Sequence, residues 1–292
     1  MQGTVLEGIG GFYYVITPQQ ERYTLHAQSK IRRERLKPLC GDHVEFEPGN
    51  GEEEGWLTRI LPRKNALVRP PVANLDSLVL TVAASKPQAD LLLVDRLLLM
   101  ARSLGVQTLL AVNKCDEDED GARAICAQYE KSGAAAFCVS AKQGSGLEKL
   151  KNALRGSVHA FAGQSGAGKS SLINALYGEA LLTGGISQRI ERGRHTTRSS
   201  RLIPVEGGGA VMDTPGFSLF ENELMEPQRL PELYAEFQLA GESCRFEPCM
   251  HLSEPGCAVK QALKAGRIPR ERYERYALLF SEMKERWSKR YD

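Results

Sequence analysis

The segment 163–170 restricts the fold of this 292-residue chain more than any other, because it matches the pattern G-x-x-x-x-G-K-[ST]. Glycines in this pattern allow backbone N–H groups to turn inward around phosphate groups at the N-terminus of a helix. An apolar segment precedes the loop, and a helical segment begins at Lys169. The sequence therefore predicts an α/β fold with the phosphate-binding residues Gly163, Gln164, Ser165, Gly166, Ala167, Gly168, Lys169, Ser170 and Ser171.

The metal contacts that such a loop needs are also predicted from short motifs. Lys169 is expected to reach the β- and γ-phosphates, and the Ser170 hydroxyl to bind Mg²⁺. The segment 213–216 matches D-x-x-G, so Asp213 is expected to hold Mg²⁺ through water and the Gly216 N–H to face the γ-phosphate. Thr196 or Thr197 is expected to complete the coordination shell of the magnesium ion.

Two motifs upstream of the loop predict which base is bound. The segment 113–116 reads N-K-C-D after an apolar strand, so Asp116 can accept hydrogen bonds from the guanine N1–H and amino group, a donor pair that adenine lacks. Lys114 is expected to lie over the base. A helix N-cap at Asp116 is the simpler interpretation of this short motif. The expected base-contacting residues are Asn113, Lys114, Asp116, Ser140, Ala141 and Lys142.

Segment periodicity divides the chain into three predicted domains. Residues 1–68 contain short alternating strands separated by turns, which is typical of a small barrel, and an oligonucleotide-binding fold is the expected type. Residues 69–222 alternate apolar strands with helices and predict a mainly parallel sheet covered on both faces. Residues 223–292 predict helices around a cysteine cluster.

The cysteine cluster has the spacing C-x₄-C-x-H-x₅-C. It places three thiols and one imidazole in one short segment, at Cys244, Cys249, His251 and Cys257. Four such ligands suit one tetrahedral structural Zn²⁺ with no open position for catalysis. The alternative is a set of unrelated buried thiols. Because the surrounding core is small, zinc binding is expected to be coupled to folding.

The order of the motifs is permuted relative to ordinary translation-factor-related GTPases, in which the phosphate loop comes first. Here N-K-C-D and S-A-K precede the loop, and D-T-P-G follows it. Surface loops tolerate such moved termini. This order, the leading barrel, the trailing cluster and the G-R-H-T-T segment at 193–197 resemble the RsgA (YjeQ) family, whose members are GTPases that depend on the small ribosomal subunit.

The resemblance implies a factor in late maturation of the small ribosomal subunit that hydrolyses GTP to GDP and phosphate to drive its release. The barrel would bind rRNA through the basic residues Lys30, Arg32, Arg33 and Arg35. Phe217 stands where many GTPases have a water-orienting glutamine, and a histidine of the first switch is the replacement that the family implies. His195 matches that position, and contact with RNA is its alternative role.

Three alternative functions remain open from the residues alone. A P-loop kinase or ATPase is disfavoured by N-K-C-D beside S-A-K, and a degenerate nucleotide site is disfavoured by intact Lys169, Ser170 and Asp213. A GTPase that acts on another RNA is excluded only by the whole-chain resemblance. The net charge is +2, and no uncharged apolar run approaches the roughly 18 residues that span a bilayer. We therefore expect a cytoplasmic protein without membrane association, and we expect a monomer because no extended coiled-coil pattern appears.

Overall fold

The computed structural model describes residues 1–33, 36–50, 53–183, 200–213, 226–241 and 243–290, without the side chains of residues 32–33 and 179–183. The chain forms two compact units. One comprises Met1–Val79, Leu147–Ala162 and Lys169–Leu219, and the other comprises Leu80–Gly146, Gly163–Gly168 and Phe220–Asp292. Within the described ranges, no helix combines the length and apolar character that a membrane crossing requires.

The N-terminal strands close into a barrel in the order β1-β2-β3-β5-β4. All of its strand pairs are antiparallel except β3 with β5. Alternate side chains point into the barrel and form an apolar cluster, with Phe46 and Leu57 among its largest members. The elements are β1 (Gln2–Ile9), β2 (Phe12–Ile16), β3 (Arg22–Ala27), α1 (Ser29–Arg33), β4 (His43–Glu47) and β5 (Gly55–Ile60).

A short hairpin of β6 (Ala66–Leu67) and β7 (Val72–Ala73) precedes a six-stranded sheet in the order β10-β9-β8-β11-β13-β12. β12 runs antiparallel to β13, so the sheet is mixed. Every residue of β8 is buried, as the apolar run predicts. The remaining elements are β8 (Ser77–Ala83), α2 (Leu91–Ser103), β9 (Gln107–Asn113), α3 (Glu119–Tyr129), β10 (Ala135–Cys138), α4 (Leu147–Ala153), β11 (Val158–Gly163), α5 (Lys169–Thr183), β12 (Arg201–Pro204) and β13 (Ala210–Asp213).

The C-terminal region is helical. Two 3₁₀ turns, Pro227–Arg229 and Pro231–Leu233, lead to α6 (Ala235–Gly241), α7 (Ala258–Lys264) and α8 (Arg270–Ser288). Its core contains the stacked and edge-on rings of Tyr234, Phe237 and Tyr276. The predicted fold class is therefore confirmed: a five-stranded barrel, an α/β domain with a mixed sheet, and a helical region that carries the cysteine and histidine residues.

Candidate functional site

The phosphate loop follows β11, and two of its glycines have no room for a side chain. A Cβ atom at Gly163 would lie 2.2 Å from the Thr81 carbonyl oxygen, and one at Gly168 would lie 2.3 Å from the Asn113 Nδ2 atom. Both residues also have positive φ values that favour glycine, 136° and 89°. The loop glycines therefore permit close approach of the loop to the two neighbouring strands β8 and β9.

Asn113 joins the phosphate loop to both base motifs. Its side chain is buried and donates from Nδ2 to the Ala167 carbonyl at 3.0 Å, while Oδ1 accepts from the Ala141 N–H at 3.1 Å. The first residue of N-K-C-D thus touches both the phosphate loop and the S-A-K segment. Sequence reasoning included Asn113 in the site, but its bridging role follows only from the long-range contacts.

The two base motifs also contact each other through the backbone. The Cys115 N–H donates to the Val139 carbonyl at 3.1 Å, at the end of β10. Ser140 is fully buried, and its Oγ accepts from the Gln143 N–H at 3.0 Å, which closes the turn of the S-A-K segment. Asp116 is half-buried and Lys142 is exposed, as expected of groups that meet a ligand.

The segment 86–90, between β8 and α2, touches the same site and was not predicted. The Lys114 ammonium donates to the Lys86 carbonyl. Atoms of the Pro87 ring lie 3.4 and 3.5 Å from the position of a Cβ at Gly166. The Asp90 N–H donates to Gln164 Oε1 at 3.1 Å. No motif in this segment indicates a ligand, so sequence patterns carried no signal for it.

The predicted phosphate and metal contacts are described only in part. Lys169 is half-buried, and burial lowers the pKa of its ammonium. Ser170 and Ser171 are exposed on the first turn of α5, and Asp213 is the last residue of β13. Outside the described residues lie His195, Thr196, Thr197 and Gly216. Lys30 is exposed on α1, the Arg32 and Arg33 side chains are not described, and Arg35 lies outside the described residues.

The four predicted metal ligands converge on one point. The Sγ atoms of Cys244, Cys249 and Cys257 and a ring nitrogen of His251 all lie within 4.8 Å of one another. His251 Nδ1 is 3.7 Å from the Cys244 sulfur and 3.4 Å from the Cys257 sulfur. Tetrahedral zinc with ordinary Zn–S and Zn–N bonds separates such atoms by roughly 3.6 Å. The geometry fits a four-coordinate ion with Nδ1 as the histidine ligand.

The surroundings of the cluster support negatively charged sulfur. Backbone N–H groups of Ala258 and Lys260 point at the Cys244 and Cys257 sulfurs, at 3.3 and 3.5 Å. Burial nevertheless raises the pKa of Cys249 to about 12 and that of Cys257 above its ordinary value, and it lowers the pKa of His251. The protein alone therefore favours neutral thiols, and a bound dication would supply the charge that stabilises the thiolates.

Family models match most of the chain. Residues 2–57 match the RsgA N-terminal domain, and residues 60–223 match the RsgA GTPase. A relative from Caldanaerobacter subterraneus, named small ribosomal subunit biogenesis GTPase RsgA, is 41% identical over 100% of this chain and 98% of its own length. A relative of the same name from Geobacillus kaustophilus is 39% identical and covers 98% of both chains.

Solved structures agree with this assignment. The crystal structure of YjeQ from Thermotoga maritima is 34% identical, covers 97% of this chain and 98% of its own, and has a TM-score of 0.82. The structure of YloQ, described as a circularly permuted GTPase, is 32% identical, covers 98% and 95%, and has a TM-score of 0.81. With its base motifs ahead of its phosphate loop, the chain belongs to the RsgA family of circularly permuted GTPases.

Proposed function

We propose that the protein hydrolyses GTP to GDP and phosphate in late maturation of the small ribosomal subunit, and that hydrolysis drives its release from the subunit. The observation that carries the nucleotide assignment is Asn113, whose buried amide holds the phosphate loop and S-A-K against N-K-C-D. The subunit assignment is supported by full-length relatives that are named for this role.

Guanine selectivity would come from Asp116, which accepts from the N1–H and amino groups, with Lys114 over the base. Residues Asn113, Ser140, Ala141 and Lys142 would complete the base pocket. The loop residues 163–171 would hold the phosphates, with Lys169 on the β- and γ-phosphates. Magnesium would neutralise phosphate charge when bound, held by Ser170, by Asp213 through water, and by Thr196 or Thr197. The Gly216 N–H would face the γ-phosphate.

Hydrolysis would depend on a histidine, because Phe217 has no group that can orient water. His195 is the proposed catalytic residue, and it would act only when a partner orders its segment. We expect slow turnover by the isolated protein. His195→Ala should abolish the acceleration by small subunits and leave the GTP affinity within about twofold. Unchanged accelerated turnover would rule out catalysis by His195 and leave RNA contact as its role.

The cysteine and histidine cluster would hold one structural zinc ion. The three sulfurs and Nδ1, which lie within 4.8 Å of one another, would fill a tetrahedral shell, so the ion would serve folding of the C-terminal region. We further propose three functional domains: residues 1–68 for RNA binding, 69–222 for GTP and 223–292 for zinc. The barrel would contact small-subunit rRNA through Lys30, Arg32, Arg33 and Arg35. A cytoplasmic monomer that binds GTP or GDP fits this role.

Base selectivity is tested by Asp116→Asn. Xanthine carries a carbonyl where guanine carries its amino group, so an amide that can donate should favour it. We expect the GTP affinity to fall at least about 100-fold and the affinity for xanthosine triphosphate to rise. Asp118→Asn is the matched control, because Asp118 only caps α3 through the Gly121 N–H at 2.8 Å, and asparagine also caps well. Tighter binding of ATP than of GTP by the unaltered protein would contradict guanine recognition.

The ribosomal role is tested by cosedimentation with purified small and large subunits. In the presence of a non-hydrolysable GTP analogue, we expect binding to small subunits only, and weaker binding with GDP. Binding to large subunits or to transfer RNA instead would leave the GTPase assignment intact and contradict the assignment of the small subunit as its target.

A further inference from the structure

The 86–90 segment connects the nucleotide site to a long helix. It contacts Lys114 of the base motif and Gln164 of the phosphate loop, and its Pro87 ring lies where a side chain at Gly166 would point. The same segment ends at Asp90, whose carboxylate caps α2 by accepting from the Leu93 N–H at 2.9 Å. A ligand that repositions Lys114 or the loop therefore acts on the first turn of α2.

The other end of this connection is a set of buried ion pairs between α2 and α8. Asp95 of α2 is fully buried and forms ion pairs with Arg272 and with Arg275, the latter at 2.6 Å. About two turns beyond Arg275 on α8, Glu282 pairs with Arg96 of α2. The two helices are thus joined by charged groups with little solvent around them, where electrostatic interactions are weakly screened.

Arg272 extends the same network into the rest of the C-terminal core. Its guanidinium is fully buried, pairs with Glu236 of α6 and lies 5.0 and 4.8 Å from the ring centres of Tyr129 and Tyr234. Buried ion pairs tolerate small displacements poorly, because a lost partner leaves a desolvated charge. We therefore expect a displacement of α2 to move α8 with it, because repacking at the interface between the two helices would break these ion pairs.

Helix α8 in turn contacts the cysteine and histidine loop. The Tyr273 hydroxyl donates to the His251 carbonyl at 2.6 Å, and the Tyr276 hydroxyl donates to the Met250 carbonyl at 2.5 Å. The contacts of the described residues thus run without interruption from Gln164, through α2 and α8, to the backbone of one of the four clustered ligands.

We propose that α2 couples nucleotide binding to the position of α8, with Arg275 and Arg96 as positioning residues that transmit the change. This inference rests on the proposed binding of guanine nucleotide. The coupling would run through the contacts of α2 and α8, and not along the chain segment 214–225 that joins β13 to the C-terminal region. The coupling is reciprocal, so stabilising α8 tightens nucleotide binding by the same factor.

The test is amide hydrogen exchange of the full-length protein with and without GDP and Mg²⁺. In the unaltered protein, GDP should slow exchange in the phosphate loop and also in α8, the latter by about fivefold or more. Arg275→Gln should keep the protection of the loop and lose most of the GDP effect on α8. Arg270→Gln is the matched control, because Arg270 pairs only with Glu274 of the same helix among its described contacts, and it should behave like the unaltered protein.

Glu282→Gln provides a second variant that is less disruptive, because Glu282 is half-buried. Glu282→Gln should reduce the GDP effect on α8 by about half. It replaces Arg275→Gln as the test if Arg275→Gln does not fold. Protection of the loop alone in the unaltered protein, or an undiminished α8 effect in the variants, would overturn the coupling. Absence of protection at the loop itself would overturn nucleotide binding, and the coupling with it, so the two failures are distinguishable.

Discussion

The barrel and the C-terminal helical region both have small cores, but different interactions stabilise them. The cluster of side chains inside the barrel is aliphatic and aromatic and includes Val5, Leu25 and Phe46, and the buried Asp42, which pairs with Arg63, is not part of that cluster. The C-terminal region buries the charged groups of Glu236 and Arg272 beside its aromatic rings and brings together four side chains that could ligate a metal. The barrel cluster is stabilised by the hydrophobic effect, whereas the C-terminal core also contains paired charges and would, as proposed, hold an ion beside them.

This difference predicts opposite sensitivities. An apolar core loses stability gradually as side chains are shortened, because each truncation removes buried area and leaves a cavity. A core with paired charges and bound metal fails abruptly, because one missing partner leaves a buried charge or an incomplete coordination shell. We therefore expect the structure of the C-terminal region to depend on the proposed ion, and we expect this region to respond to the proposed nucleotide site.

The largest expected effect is removal of the metal. Cys257→Ser, or a zinc-selective chelator, should abolish stoichiometric zinc and the exchange protection of α7 and α8, because metal binding supplies roughly 10 kcal/mol or more to such small modules. The barrel strands should keep their protection. Cys126→Ser is the control, since Cys126 lies on α3 outside the cluster. If α8 kept its full exchange protection in the metal-free protein, the C-terminal region would not depend on metal, which would contradict the account.

The next effect is that of Arg272→Met, which leaves Glu236 without its cationic partner and Asp95 with Arg275 alone. The free energy of unfolding of the C-terminal region should fall by about 3–5 kcal/mol. Hydrogen exchange of α8 under native conditions measures it. Arg270→Met, on the exposed side of the same helix, should change it by less than about 0.5 kcal/mol. Equal effects of the two variants would show that the buried charges do not hold this core.

A truncation in the barrel should have a smaller effect. Leu57→Ala removes a fully buried side chain from the apolar core and should lower the stability of the barrel by about 3 kcal/mol. Exchange protection in β1 to β5 is the measurement, and α8 should be unaffected. Leu36→Ala, at a side chain that is 47% exposed, is the control with little expected change. If Leu57→Ala also lost metal binding, the stabilities of the barrel and the C-terminal region would not be independent, which would contradict the comparison of the two regions.

The smallest effect concerns a surface charge of the barrel. The Arg59 guanidinium, which donates to Glu45 at 2.5 Å, lowers the pKa of that carboxyl. The stabilising contribution is thus present above the ordinary glutamate pKa and is lost as the pH falls through the lowered value. Arg59→Ala should raise the Glu45 pKa toward its ordinary value in an NMR titration without a resolvable change in stability at pH 7, because exposed pairs contribute little. An unchanged pKa would contradict the pairing.

The sequence predicted the parts of the fold that depend on local patterns. The alternation in residues 12–16 predicts a strand, and the apolar stripes of residues 90–104 and 270–289 predict helices. The structure has these elements at Phe12–Ile16, Leu91–Ser103 and Arg270–Ser288. The short helix α7 was not predicted, because its seven residues are too few for a clear repeat, and β1 was not predicted either. Arg272 was not expected in a core, since its burial depends on Asp95, which is distant in sequence.

The candidate site shows the same division. The phosphate loop, the base motifs and the metal ligands were identified from spacing, because each is a short contiguous motif. The bridging role of Asn113 and the contacts of the 86–90 segment were not, because they join residues that lie far apart along the chain. Local pattern therefore suffices to predict the residues that would contact a ligand, while the proposed connection between the nucleotide site and α8 could be inferred only from the fold.

The most direct test of the proposed function is phosphate release from GTP and from ATP, measured with the purified protein alone, with small ribosomal subunits and with large ones. We predict slow, GTP-selective release that rises at least tenfold with small subunits and does not change with large ones. GTP turnover that is indifferent to small subunits, or preferential turnover of ATP, would contradict the proposal.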